Sequence, residues 1–234
     1  MSADRKAAVV IGVLYIVGTV AFILSAIVTA GALAGQVSLD EIAAKRDQAV
    51  IGAVLVLVAG MALAMVPVVF WPIGRRHDET LAMGYIVFRG AIETTLYLGI
   101  ATGWLVLLAL SEVPGAEAVG AGVATAGFVL SEQLLGIPFA LGALLFSVML
   151  YRARLVPRWL SGWGLVGAGL YLVPPVGAMF GLAVGVLMAP LAVQEMVLAA
   201  RLIAKGFDAS GAAVRSADAT SGSRVAAAHQ VRVI

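Results

Sequence analysis

The sequence predicts an all-α fold: a polytopic transmembrane helical bundle of six spans with both termini cytoplasmic. Three observations carry this. Charged residues are 12% of the 234 positions and hydrophobic residues 62%, whereas a soluble domain carries about 25% charge. Mean hydropathy is +1.05. Apolar runs long enough to cross a bilayer, about 20 residues each, recur along the chain with Lys and Arg at alternate junctions.

The runs fall at Ala8–Ala30, Val50–Trp71, Leu81–Leu107, Phe128–Leu150, Leu160–Phe180 and Leu182–Ala204. The first follows Arg5 and Lys6 and precedes Ala32-Leu33-Ala34 and Gly35, which resembles a secretory signal with its cleavage site. A signal's apolar core is about 7–15 residues, shorter than Ala8–Ala30, so the run reads as a retained span. The third carries Arg89 and Glu93, the fourth Glu132 and the sixth Glu195. The fifth has Pro174 and Pro175 near its end, and its short link to the sixth predicts a tight hairpin. After Phe207 the composition turns to Ala, Ser, Gly and Arg without aromatics. Residues 1–207 therefore read as the membrane domain, and 208–234 as a disordered cytoplasmic tail. Arg215, Arg224 and Arg232 of that tail suit weak contact with anionic headgroups.

Orientation follows from the flanks. Arg5, Lys6, Arg75, Arg76, Arg152, Arg154, Arg158, Arg201 and Lys205 share one side if the spans alternate. The other side receives Lys45 and Arg46 against Asp40, Glu41, Asp47, Glu112 and Glu117. Excess positive charge marks the cytoplasmic side, which leaves residues 35–49 and 111–126 outside. The expected location is the plasma (inner) membrane.

Several chemistries are excluded or unsupported. With no cysteine there is no disulfide, thiolate site or cysteine nucleophile. The two histidines, His77 and His229, lie outside the spans, so an intramembrane bis-histidine haem has no ligands. Arg75-Arg76-His77-Asp78-Glu79 reads as a charged turn at the inner surface. Ser161-Gly162-Trp163-Gly164 is not a nucleophile elbow, and no phosphate loop, dinucleotide fingerprint or metal-ligand spacing occurs. No cofactor is expected. A net charge of +2, spread along membrane flanks, makes no nucleic-acid surface. Small residues four apart at Gly31/Gly35, Gly99/Gly103 and Gly177/Gly181/Gly185 suit close helix packing within the chain, or an oligomer face. No internal repeat is evident.

An ionisable residue inside a span costs about 2.5–3.5 kcal/mol or more and needs a reason. Tyr85, Arg89, Glu93 and Tyr97 are spaced by four on one helical face. At 1.5 Å per residue Arg89 lies ~12 Å and Glu93 ~18 Å from the inner end of the span. Glu195 lies ~13 Å deep from the same side, matching Arg89. Gln194 is its neighbour, and Tyr15 of the first span reaches a similar level. Glu132 and Gln133 enter ~6–9 Å from the outer boundary. The nine residues Tyr15, Tyr85, Arg89, Glu93, Tyr97, Glu132, Gln133, Gln194 and Glu195 thus form a candidate polar pocket. No catalytic residue is assigned, and the sequence leaves open whether the protein is an enzyme.

Three readings fit these positions. One is a pocket in which Arg89 holds the anionic or polar head of a small amphipathic or lipidic ligand while the spans hold its apolar body. Another is a membrane-embedded enzyme doing acid-initiated cyclisation or isomerisation of a lipophilic substrate, with Glu93 or Glu195 as proton donor or part of a proton path. The third is a packing or assembly subunit in which Arg89 neutralises Glu93 and Glu195 and selects one helix arrangement.

The pattern resembles an uncharacterised bacterial multi-pass membrane family, domain of unknown function 4386, over roughly residues 8 to 207. The resemblance rests on Phe88-Arg89 followed by Glu93 and on Tyr151-Arg152-Ala153-Arg154-Leu155-Val156-Pro157-Arg158-Trp159-Leu160-Ser161-Gly162. Glu195 before Lys205-Gly206 completes it. It implies the six-span layout and the polar positions, and no activity.

Reporter fusions after Lys205 are expected in the cytoplasm, and fusions at Gln36 or Glu117 outside. A cytoplasmic signal at Glu117 contradicts the span count.

Overall fold

The structure, a computed structural model, describes residues 2–33 and 38–208, with no strand among them. Ala34 of the signal-like site, Gly35 of the Gly31/Gly35 pair and the tail from residue 209 onward lie outside the described residues.

Helix α1 covers Ala3–Leu33 and is followed by the short α2, Leu39–Ala44. Helix α3 covers Arg46–Gly74. Helix α4, Glu79–Leu110, contains a π-helical turn at Ile86–Ile92. Helix α5, Glu117–Ala153, contains another at Val129–Leu134. Helices α6, Arg158–Tyr171, and α7, Val173–Ala178, follow. A 3₁₀ turn, Gly185–Met188, leads into α8, Ala189–Lys205.

Five helical segments are long and apolar enough to cross a membrane: α1, α3, α4, α5 and the 3₁₀ turn with α8. The expected fifth span is instead two helices, α6 of 14 residues and α7 of 6, joined at Leu172. The cause is Pro174 and Pro175, which offer no N–H to the carbonyls one turn back. Laid end to end, the two helices still extend about 30 Å.

Other boundaries also move. Residues 117–126, expected in an outer connection, belong to α5. Asp208, assigned to the tail by composition, is tied down: its amide donates to the Leu155 carbonyl at 2.8 Å, and its carboxylate meets Arg201 at 2.5 Å. Gly177, Gly181 and Gly185 do not share a helix face, because the chain turns at Gly181 with φ +76°.

The helices close into a ring. α1 packs on α3, α3 on α4, α4 on α5, α5 on α6, α6 on α8, and α8 back on α1. α6 and α8 pack on each other, but α7 and the 3₁₀ turn lie between them in place of the short link of the expected tight hairpin. The ring is filled at one level by aromatic side chains. Tyr85 and Phe146 stack at 4.8 Å between centroids, and Phe70 meets Phe146 edge-on, also at 4.8 Å.

One end of the ring is stitched across the sequence. Arg5 donates to the carbonyls of Leu202, Ile203 and Ala204 at 2.7, 2.6 and 3.1 Å, supplying donors that the last turn of α8 lacks. Arg76 at the end of α3 pairs with Asp4, and Arg152 near the end of α5 pairs with Asp78 before α4. At the other end Arg46 of α3 pairs with Glu112 beyond α4. The chain is thus at the stitched end at Arg152 and again at Leu202. The α6–α7 stretch carries it away and α8 brings it back.

The α1–α8 seam that closes the ring depends on Gly12. A Cβ there meets the Ala199 carbonyl oxygen and Ile203 Cγ1, each at 2.7 Å, and the backbone oxygen cannot step aside. Gly12→Ala is expected to lose roughly 1–3 kcal/mol, as overpacked sites do, read as a lower unfolding temperature in detergent.

Candidate functional site

The site is built on α4 at its π-helical turn. There the Glu93 amide bonds to the Phe88 carbonyl, five residues back. Such a turn inserts an extra residue into the helix and is frequent at functional positions. Pro67 of α3 lies against this turn, its Cγ 3.5 Å from where a Gly90 Cβ stands.

Arg89 projects from the turn into the ring, and its side chain is 0% exposed. Gly142 of α5 lets it pass: a Cβ there lies 3.2 Å from Arg89 Cβ and 3.4 Å from its amide nitrogen. Arg89 Nε is 3.5 Å from Glu93 Oε2 on the same helix, and Nη2 is 3.3 Å from Glu195 Oε1 on α8. The guanidinium also lies against two rings, 5.4 Å from the Tyr15 centroid and 4.3 Å from that of Phe139. Charge–quadrupole attraction of this kind strengthens as water is removed.

The arrangement leaves hydrogen-bonding capacity over. Arg89 Nε, Nη1 and Nη2 are buried without a well-aligned acceptor, and both Glu93 oxygens and Glu195 Oε1 without a well-aligned donor, while Arg89 stays within looser reach of Glu195 and the Tyr97 hydroxyl within looser reach of Glu93. The two ion pairs attract at 3.3–3.5 Å, longer than the 2.7–2.9 Å of a charge-assisted hydrogen bond. Nη1 is the nitrogen that neither closest ion-pair contact uses.

Around this centre Tyr15 and Tyr85 share a hydroxyl–hydroxyl bond of 3.0 Å. Gln194, beside Glu195, donates to the Leu160 carbonyl at 3.2 Å and so ties α8 to α6. Tyr97 is buried, edge-on to Phe22 at 5.7 Å and packed against Gly60. Among the nine candidates, Tyr15, Tyr85, Arg89, Glu93, Gln194 and Glu195 gather around the ring's interior, with Tyr97 one turn beyond. Glu132 and Gln133 do not join them. They sit on the π-helical turn of α5, Glu132 exposed and Gln133 half-buried.

Sequence reasoning missed Phe139, Gly142 and Tyr171. Phe139 lies 4.3 Å from the guanidinium, and Tyr171 meets the Phe139 ring at 4.7 Å, tilted by 37°. The available signal was the helical spacing of Phe139, Gly142 and Phe146 on one face of α5, which charge-seeking overlooks. Among the described residues no group of three His, Cys, Asp or Glu is placed to hold a metal.

A family profile described as a domain of unknown function (DUF4386) matches residues 10–206, and the chain belongs to that family. No curated protein and no solved structure matches the chain.

Arg89→Ala leaves two buried carboxylates without their cation and is expected to cost roughly 3–5 kcal/mol. Arg89→Met combined with Glu93→Gln and Glu195→Gln removes every charge and is expected to recover much of that loss. Thermal unfolding of both variants in detergent checks the pair. Equal stability of Arg89→Ala and the native protein contradicts the ion-pair description.

Proposed function

We propose that this member of the DUF4386 family is a six-span protein of the plasma (inner) membrane, with both termini cytoplasmic, that binds a small amphipathic or lipidic molecule within the membrane at Arg89. Six crossings are supported by the ring's stitching, since Arg5 at the start and Leu202–Ala204 near the end meet at one end. An even number of passages returns the chain to its starting side. The broken α6–α7 pair extends about 30 Å, the thickness of the hydrocarbon core. Inner orientation is supported by Arg75, Arg76, Arg152 and Lys205 clustering toward that end.

The observation that carries the binding reading is Arg89 Nη1: a guanidinium nitrogen, fully buried, with no acceptor. Burying such a donor is costly unless something accepts from it. Charge then narrows the ligand. An anionic head at Nη1 also faces Glu93 and Glu195, and a cationic head faces Arg89. An uncharged head with an acceptor oxygen, such as a hydroxyl or carbonyl, is opposed by neither. The surrounding apolar spans accommodate its hydrocarbon body.

The enclosure of Arg89 favours a second reading, a packing lock without ligand. Native mass spectrometry and three probes of equal chain length separate the two: decanol, decanoate and decylammonium. Decanol is expected to bind the native protein at least about tenfold more tightly than either charged probe, a difference of about 1.4 kcal/mol. The variant Arg89→Met/Glu93→Gln/Glu195→Gln is expected to fold and lose decanol binding together with any co-purifying lipid. Unchanged bound content in that folded variant sinks the binding reading and leaves the lock.

A further inference from the structure

We infer, resting on the reading above, that the Phe139–Tyr171 ring pair is the lateral entrance to the Arg89 site. The ligand admitted there carries an electron-rich aromatic ring with a hydroxyl oxygen, a phenol in class, and its ring takes Phe139's place over the guanidinium. Three observations converge on this pair.

The first is exposure. Tyr15, Tyr85, Phe70 and Phe146, the rings packed deepest around the centre, are each 2% exposed or less. Phe139 and Tyr171 are only half-buried, although Phe139 touches Arg89 at 4.3 Å. One ring pair therefore separates a fully buried cation from the bundle's outer surface.

The second is the backbone beneath each ring. Phe139 follows Pro138, and its own amide reaches the Leu135 carbonyl at a long 3.4 Å. Just before it, the Leu135 amide bonds five residues back to Leu130, closing the π-helical turn. Tyr171 is the last residue of α6, next to the Leu172 break and the two prolines. Both rings thus ride on backbone with a weakened hydrogen-bond ladder, where displacement disrupts fewer bonds. The two supports also touch. Pro175 Cγ and Tyr171 Cε1 lie 3.0 and 3.4 Å from where a Gly136 Cβ stands, so movement of one helix is felt by the other.

The third is what an entering molecule displaces. Moving Phe139 aside removes its ring face from the guanidinium, which then keeps only the more distant Tyr15, at 5.4 Å. A ligand with a π face restores the lost contact while its oxygen accepts from Nη1. A plain alkyl alcohol supplies the oxygen alone. The site selects for the ring.

The test compares decanol with 4-decylphenol, using surface plasmon resonance on the immobilised protein in detergent micelles, on the native protein, Phe139→Ala, Phe139→Trp and Tyr171→Ala. The phenol is expected to bind the native protein about tenfold more tightly than decanol. Phe139→Ala and Tyr171→Ala are expected to speed both association and dissociation by about tenfold, and Phe139→Trp to slow both. If Phe139→Ala fails to fold, Phe139→Leu, which is smaller than Phe and lacks the π face, takes its place and is expected to speed both rates by a smaller factor. Rates unchanged across folded variants overturn the entrance while leaving the binding reading intact. Equal affinity for phenol and decanol overturns the ring-bearing ligand. Absence of any native binding of either probe overturns the Arg89 reading itself, and this inference with it.

Discussion

A guanidinium cannot be placed in the interior of a membrane bundle and then left to its surroundings. Water solvates the ion far better than hydrocarbon does, so everything near Arg89 has to replace what water supplied. Two carboxylates approach within 3.3–3.5 Å, two ring faces cover the plane, and Gly142 gives way for the side chain. These contributions come from α1, α4, α5 and α8. A single side chain thereby dictates where four helices must stand. The closed ring, the glycine at the α4–α5 crossing and the register of α8 all follow from the need to keep that ion company.

The replacement is incomplete in a specific way. Attraction is satisfied and direction is not: the opposite charges are close, but the donors and acceptors are not aligned. Coulombic attraction falls slowly with distance and angle, whereas a hydrogen bond requires both. A cluster of this kind is held firmly yet still offers sites for an oxygen to engage.

Much of the architecture was legible in the sequence because membrane solvation leaves so few options. Run length and the Lys/Arg flanks gave the long helices, and an intramembrane Arg with carboxylates at spacing four and at matching depth gave the centre. The failures have definite causes. Hydropathy scores side chains and is blind to the missing amide of Pro174 and Pro175, so the fifth run read as one helix. Residues 117–126 are rich in Gly and Ala, which look like a connection by composition but form α5 once the chain continues from it. Neither π-helical turn leaves a pattern that counting by four detects. Glu132 was drawn into the pocket because it is charged within a span, although depth alone cannot say which way a side chain faces. Phe139 and Tyr171 were passed over for the opposite reason: an aromatic residue in an apolar run carries no signal until its neighbour is known to be a cation.

The pairing of Arg89 with Glu93 on its own helix bears on biogenesis. The chain emerges from its N-terminus, and Glu195 is made about a hundred residues after Arg89, some 5–20 seconds later at ordinary translation rates. For that interval α4 must reside in the insertion machinery or the lipid without its second carboxylate. Only a partner one turn away can travel with the arginine from the moment of synthesis and present the helix to the membrane as a neutral pair. Glu93 is thus within reach of Arg89 throughout that interval, being four residues away on the same helix, and Glu195 joins last, with α8.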